Sequence, residues 1–253
     1  MNMFSISNLI SNLRGRVNAV IGVVIAAIAL CACGAFMTFY LAPTQAMQAF
    51  QISKMPQMTA QTVNDAAAGT QLLITGYISG EVPTASLPDY IAYTQQEWDV
   101  TVTEDSNGND NTPSGSWKNS QTIVPELTLD MSGAPISILS NNRASLAGQL
   151  HEKIVDGTGS LQADYNGQNL RDGAIRYQGF FSGDLTTVYG KKASVDGVIP
   201  DNLFAGDRVA FEAYQKELAS SYLFMGIAFM VCSPIFLIVG IFAAAFGRQG
   251  RVR

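Results

Sequence analysis

What this chain lacks narrows its chemistry first. No cysteine stands between Cys33 and Cys232, so no disulfide framework holds the long central region, which must rely on a packed core of its own. There is a single histidine, His151, and no Gly-x-Ser-x-Gly elbow accompanies it. A Ser-His-Asp device therefore lacks its usual setting, and a Cys-His device lacks a nucleophile in the central region. Neither a phosphate-cradling Gly-x₄-Gly-Lys-(Ser/Thr) nor a dinucleotide Gly-x-Gly-x-x-Gly occurs. Charge is scarce: 14% of residues are Asp, Glu, Lys or Arg, against about 25% in ordinary soluble domains.

The missing charge is concentrated in two places. Val17 to Leu41 and Tyr222 to Phe246 are equally long apolar runs with no ionisable acid or base of the Asp, Glu, Lys or Arg type. About 20 apolar residues span a bilayer core, so each run is long enough to cross with some tilt. Pro234 falls inside the second run and is expected to kink the helix without ending it. The absence of charge in both runs argues against ion or proton transport.

Acidic residues are absent from both ends. All 20 lie from Asp65 to Glu217. Of the 15 basic residues, Arg14, Arg16, Arg248, Arg251 and Arg253 flank the runs on their outer sides, which leaves ten in the middle and a formal charge of −10 there. Basic residues beside a span resist translocation. Both ends are accordingly expected in the cytoplasm and the middle outside, in the periplasm or the extracellular space, with the chain in a plasma or inner membrane. An acidic middle excludes the basic footprint that nucleic-acid binding requires.

The organisation that follows is a cytoplasmic tail over 1–16, amphipathic in pattern, and a transmembrane helix over 17–41. A helical stalk over 42–68 is interrupted by Pro56. An extracytoplasmic β-rich domain fills 69–206. An amphipathic helix over 207–221 leads into a second transmembrane helix over 222–246 and a basic tail over 247–253. Leu30-Cys31-Ala32-Cys33 loosely resembles a lipoprotein processing site, but the apolar run continues through Phe36, Phe39, Tyr40 and Leu41 where a polar tether would stand. Gly22-x₃-Ala26, Gly240-x₃-Ala244 and Ala243-x₃-Gly247 permit close helix packing, within the chain or between copies.

Within the domain, Leu72 to Ile78, Tyr90 to Thr103, Thr122 to Leu129, Ala134 to Leu139, Ala174 to Phe181 and Leu185 to Ala193 read as strands. Glu104 to Ser120 reads as a long exposed loop and Arg143 to Ile154 as a short helix; the polar stretch GTGSLQADYNGQNLRDG reads as another loop. Gly69 to Gly76 and Gly183 to Gly190 share the form Gly-x₄-(Ile/Val)-x-Gly. Each is a turn glycine, a strand, and a glycine where the strand bends. Short bent strands and long loops point to a small, partly open OB-like barrel in an α+β domain.

Candidate chemistry is thin. Asp105 to Asn111 places oxygen side chains at alternating positions, as Ca²⁺ requires, but its glycine is displaced and Ser116 stands where the closing carboxylate belongs, so a flexible turn is the better reading. Cys31 and Cys33 read as apolar packing. His151 reads as an exposed helix or loop residue. No catalytic, cofactor-binding or metal-binding residue is assigned. Trp117 and Tyr165, on exposed loops, are candidate contact anchors; Trp117 packed against the barrel is the alternative.

A membrane pair enclosing a β domain that opens on Gly69-Thr70-Gln71-Leu72-Leu73-Ile74-Thr75-Gly76 resembles the GIDE/Mulan group of membrane proteins, whose domain between the spans is called BAM. The stretch RYQGFFSGDLTTVYGKKASVDG, Arg176 to Gly197, resembles that group's second strand pair. Members that act as ubiquitin ligases carry a zinc-binding RING after the second span. Gly247 to Arg253 holds no Cys or His, so the resemblance implies a bacterial-type member lacking the RING and its ligase activity.

The function expected is that of a non-enzymatic, membrane-anchored scaffold or accessory subunit of a bacterial envelope. Its external domain binds a membrane-protein partner or a second copy, with no cofactor. A sensor of a small ligand, glycan or lipid headgroup is the alternative, and an envelope hydrolase built around His151 comes third.

Overall fold

The computed structural model describes residues 4–84, 87, 89–102, 112–132 and 134–246, with 4–19 and 244–246 described by backbone alone. The chain divides into two compact units, one of residues 1–53 with 213–253 and one of residues 54–212.

The first unit is helical. α1 (Phe4–Phe36) passes through a π-helical turn, Met37–Leu41, into α2 (Ala42–Lys54). The widened turn has a cause in the sequence. Pro43 has no N–H to return to the preceding turn and its ring crowds the carbonyl four residues back, so the helix loosens just before it. Thr44 then donates its hydroxyl to the carbonyl of Tyr40. α4 (Arg208–Phe246) is a single helix that continues through Pro234. Two stretches, Val20–Lys54 and Arg208–Ala243, are long and apolar enough to cross a membrane.

α1 and α4 run antiparallel in close contact. A Cβ on Gly34 would lie 2.7 Å from the carbonyl oxygen of Gly226. One on Gly240 would strike the methyl groups of Val23. Between these points Ser233 donates its hydroxyl to the carbonyl of Ala27 at 2.7 Å, in a buried position. Small residues bring the backbones together and a hydroxyl bonds across them. Gly240 of the α4 motif thus serves the pair within the chain.

The second unit is mainly β. Its strands are β1 (Gln71–Gly80), β2 (Tyr90–Val102), β3 (Pro113–Ile123), β4 (Leu127–Asp130), β5 (Pro135–Ile138), β6 (Ser145–Gly148), β7 (His151–Val155), β8 (Gln162–Tyr165), β9 (Gln168–Arg171), β10 (Ile175–Phe181), β11 (Leu185–Lys192) and β12 (Val198–Ala205). One sheet has the order β11-β1-β4-β5-β12-β6, and β12 also pairs β11. It is mixed: β12 is parallel to β5 and β6 and antiparallel to β11. A second sheet has the order β3-β2-β10-β7, and β8 with β9 forms a hairpin.

The core explains the strands. Leu72, Ile74 and Ile78 of β1, Leu127 and Leu129 of β4, Ile136 and Ile138 of β5, and Val188 of β11 alternate into one buried cluster, period two, as strands with one buried face must. Ile91, Ala92 and Phe180 bring the second sheet into the same cluster. The short helix α3 (Ala60–Asn64), capped by Thr59, adds the fully buried Val63.

Three expectations are corrected. The exposed loop proposed over Glu104 to Ser120 gives way from Pro113 to β3, because Trp117 pairs opposite Trp98 and the polar residues around it complete a ladder with β2. The helix proposed over Arg143 to Ile154 is β6 and β7; Leu146, Leu150 and Ile154 fall four apart and imitate a helix face, while β6 pairs β12 and β7 pairs β10. The polar stretch beginning at Gly157 contains the β8–β9 hairpin, turned by Asn166 and Gly167, both at positive φ.

Candidate functional site

His151 opens β7, on a strand. Its Nε2 lies 3.2 Å from Oδ1 of Asp184, and its ring stacks on Phe181 with centroids 3.9 Å apart and planes 1° apart. The other oxygen of Asp184 accepts the backbone N–H of Phe181 at 2.7 Å. The arrangement ties β7 to the turn between β10 and β11. A catalytic triad needs a nucleophile on the histidine as well as a carboxylate. The carboxylate is here, but it is the one hydrogen-bond partner the His151 ring has among the described residues.

Trp117 and Tyr165 come together, though not as exposed anchors. Trp98, Trp117 and Tyr165 form a closed triangle with centroid separations of 4.8, 5.5 and 5.4 Å. The guanidinium of Arg176 lies 4.5 Å over the Trp117 ring, a cation–π contact. The same side chain donates from Nη1 to the Tyr165 hydroxyl at 2.7 Å and from Nε to Oε1 of Gln96 at 3.1 Å. Leu170, Ala163, Ala174 and Val100 pack around the indoles. The triangle is a small core joining the β8–β9 hairpin to β2 and β3. It fills its own interior.

Among the described residues no group of three or more His, Cys, Asp and Glu side chains converges. The stretch Asp105 to Asn111 lies outside the described residues. Cys31, Cys33 and Cys232 are free and exposed on the helices.

What sequence reasoning missed is a cleft. Where Pro56 breaks the stalk, the chain from Gln57 to Gln61 runs along β1 and the β4–β5 turn. A cavity of about 720 Å³ opens there, lined by Gln57, Met58, Thr59, Gln61, Thr75 and Met131 with neighbouring small residues. A smaller one of about 280 Å³, across Gln57 and Met58, reaches Leu73, Asp207 and Arg208. Arg208 is fixed there by Glu212 at 2.7 Å and by the carbonyl of Met55 at 2.6 Å. Among the described residues the larger cavity has no ionisable side chain in its lining. Amides, hydroxyls and thioethers surround it instead, groups that hydrogen-bond and adapt to a ligand's shape.

No protein-family model matches the chain, and neither does any curated protein or solved structure.

Burial raises Tyr90 above the ordinary tyrosine value, helped by the negative charges of Asp89 and Glu152. Burial likewise raises Tyr93, with Tyr177 adding, and Tyr189, with Asp201 adding. Tyr90 and Tyr93 pack edge-on to Phe181 and Tyr177. These shifts keep the rings neutral and packed.

Proposed function

We propose that this is a two-pass membrane protein that holds an OB-like β domain outside the cytoplasm as a non-enzymatic docking module. The observation that carries the reading is the register of the helix pair. Val23 meets Gly240, Ala27 meets Ser233 and Gly34 meets Gly226, so contacts later on one helix fall earlier on the other. Continued outward, that register sets Leu41 beside Tyr222 and Val17 beside Phe246. The two uncharged runs then start and stop at common depths, as two helices crossing one bilayer must. Arginines beyond both cytoplasmic ends supply the orientation.

The OB-like assignment rests on the pairings. β1 pairs β4, β4 pairs β5, β5 pairs β12 in parallel, β12 pairs β11 and β11 returns to β1. Five strands in a ring with one parallel contact support the reading of a small Greek-key barrel of the OB type. β2 with β3, and β6 to β10, are insertions between barrel strands. In this reading the chain is a relative of the GIDE/Mulan group in its RING-less bacterial form. The neutral cleft beside β1 is where the domain takes its partner, and its lining favours recognition over proton transfer.

Sidedness tests the proposal. In a variant lacking Cys31, Cys33 and Cys232, single cysteines at Asn2, Asp196 and Arg253 are exposed to a membrane-impermeant maleimide. Labelling in intact cells at Asp196 alone is expected, with Asn2 and Arg253 labelled only after permeabilisation. Labelling of either end from outside defeats the orientation.

A further inference from the structure

The two edges of β1 are paired unequally. From Gln71 to Tyr77 one edge pairs β11 residue for residue, whereas the other pairs β4 only from Tyr77 to Gly80. In an antiparallel ladder, alternate residues turn their N–H and C=O to opposite edges. Thr70 accepts from Lys192 at 2.9 Å and Ile78 donates to the carbonyl of Asp184 at 2.9 Å, so both turn towards the β11 side. The even-numbered residues between them do the same. Leu73 and Thr75 therefore turn their N–H and C=O the other way, to a part of the edge that β4 does not reach. Among the described residues no strand pairs that part and no loop backbone bonds to it.

The two cavities lie along this stretch. Leu73, Ile74 and Thr75 line the smaller one, and Thr75 lines the larger. The rim of the second sheet is different: β7 carries Glu152 and Lys153, charges that discourage a further strand. Leu73 to Thr75 holds no charge and borders a space of about 720 Å³, within the roughly 300–1,000 Å³ of ligand sites.

We infer that this edge takes an extended peptide segment of another protein, added to β1 as a further strand. The inference deepens the docking reading of the cleft and rests on it. Leu73 is 2% exposed and Thr75 half-buried, so water serves their backbone groups poorly, and buried backbone groups need partners. N–H and C=O recurring at every second residue, about 7 Å apart, match another extended backbone. A sugar ring or a lipid headgroup carries no such repeat. Gln57 and Met58 line both cavities and belong to no helix or strand, and they are the part that moves aside. Among the described residues the larger cavity is lined without acid or base, so the paired stretch is uncharged. The formal charge of −10 between the apolar runs favours basic residues on either side of it.

Hydrogen exchange on the full-length protein in nanodiscs tests this, with empty nanodiscs as the blank. The probe is a pool of blocked heptapeptides with Lys at both ends and inner positions drawn from Ala, Val, Thr, Ser and Gln. A second pool is methylated on its inner backbone nitrogens. Binding is read by saturation-transfer NMR, and exchange is resolved to single amides by mass spectrometry. In the free protein Leu73 and Thr75 are expected to exchange ahead of Leu72 and Ile74. The first pool should slow both several-fold and the methylated pool should not. Gln61→Trp, which fills the larger cavity from an exposed position on α3, should abolish the slowing. Ala134→Trp should do so from the β4–β5 turn.

No slowing with the first pool, or equal slowing with the methylated one, overturns the inference. Binding that Gln61→Trp and Ala134→Trp abolish, without slowing at Leu73 and Thr75, sinks strand addition alone and leaves the cleft as the docking place. Binding that both substitutions leave intact lies elsewhere, and sinks the docking reading of the cleft together with the inference built on it.

Discussion

Gly34 and Gly226 face each other across the helix pair so closely that neither position has room for a side chain. A bulky residue at Gly34 must push the helices apart along their whole contact, because the carbonyl of Gly226 is backbone and cannot swing aside. Gly34→Ile is expected to lower the melting temperature of the detergent-solubilised protein strongly. Ser233→Ala, which removes one interhelical hydrogen bond to Ala27, should cost only about 0.6 kcal/mol. Equal effects from the two substitutions would mean that close approach does not hold the pair.

Lys192 offers a test of the opposite sign. Its side chain is buried, 6% exposed, and its Nζ has no hydrogen-bond partner among the described residues. An ammonium without a partner is costly to bury, and a methionine of similar length removes that cost. Lys192→Met is expected to raise the melting temperature by about 3–10 °C. Calorimetry showing a fall would mean that the charge is compensated in the folded domain.

The aromatic triangle predicts that Arg176 cannot be replaced by lysine. A lysine retains the charge but loses the planar stack on Trp117 and the fork that reaches both Gln96 and Tyr165. Arg176→Lys should destabilise the domain by about 1.5–3 kcal/mol in urea denaturation, the scale of losing charge-assisted hydrogen bonds. A midpoint unchanged from the native protein contradicts this role.

The three raised phenols set the alkaline behaviour. A group whose folded pKa lies above its unfolded value of about 10 holds its proton longer in the fold. The stability it contributes is complete below the unfolded value and is lost as pH rises through the folded one. Stability should therefore fall above about pH 10. Tyr90, Tyr93 and Tyr189 should ionise last in absorbance at alkaline pH, together with unfolding. Early, reversible ionisation of all tyrosines without unfolding is the contrary result.

Much of the frame was legible because it depends on local chemistry. The apolar runs are visible as composition. The paired glycine motifs were readable because a glycine is needed where backbones close. Ile74 and Val188, the matching positions of the two motifs, stand directly opposite in the β1–β11 ladder. Gly76 lies against the Asp130 carbonyl and Gly190 against that of Ile199, where any Cβ would clash. β3 was not legible, since Ser, Gly and Asn gain a ladder only from the packing of Trp117 on Trp98, a tertiary effect. The Asn166-Gly167 turn was legible and was masked by the polarity around it. The cleft draws Gln57, Thr75 and Met131 from three separate segments, and no spacing in the sequence announces that they meet.

The most direct measurement is a depth profile by electron paramagnetic resonance. Spin labels are placed singly along Ala35 to Ala46 and Glu217 to Ala228 in bilayers, and oxygen is compared with a water-soluble relaxer at each. The account predicts that water access rises at Leu41 on the first helix and at Tyr222 on the second, at a common depth, with both inner segments dry. Water reaching either run throughout, or the two runs surfacing at different depths, would contradict a pair of helices crossing one membrane side by side.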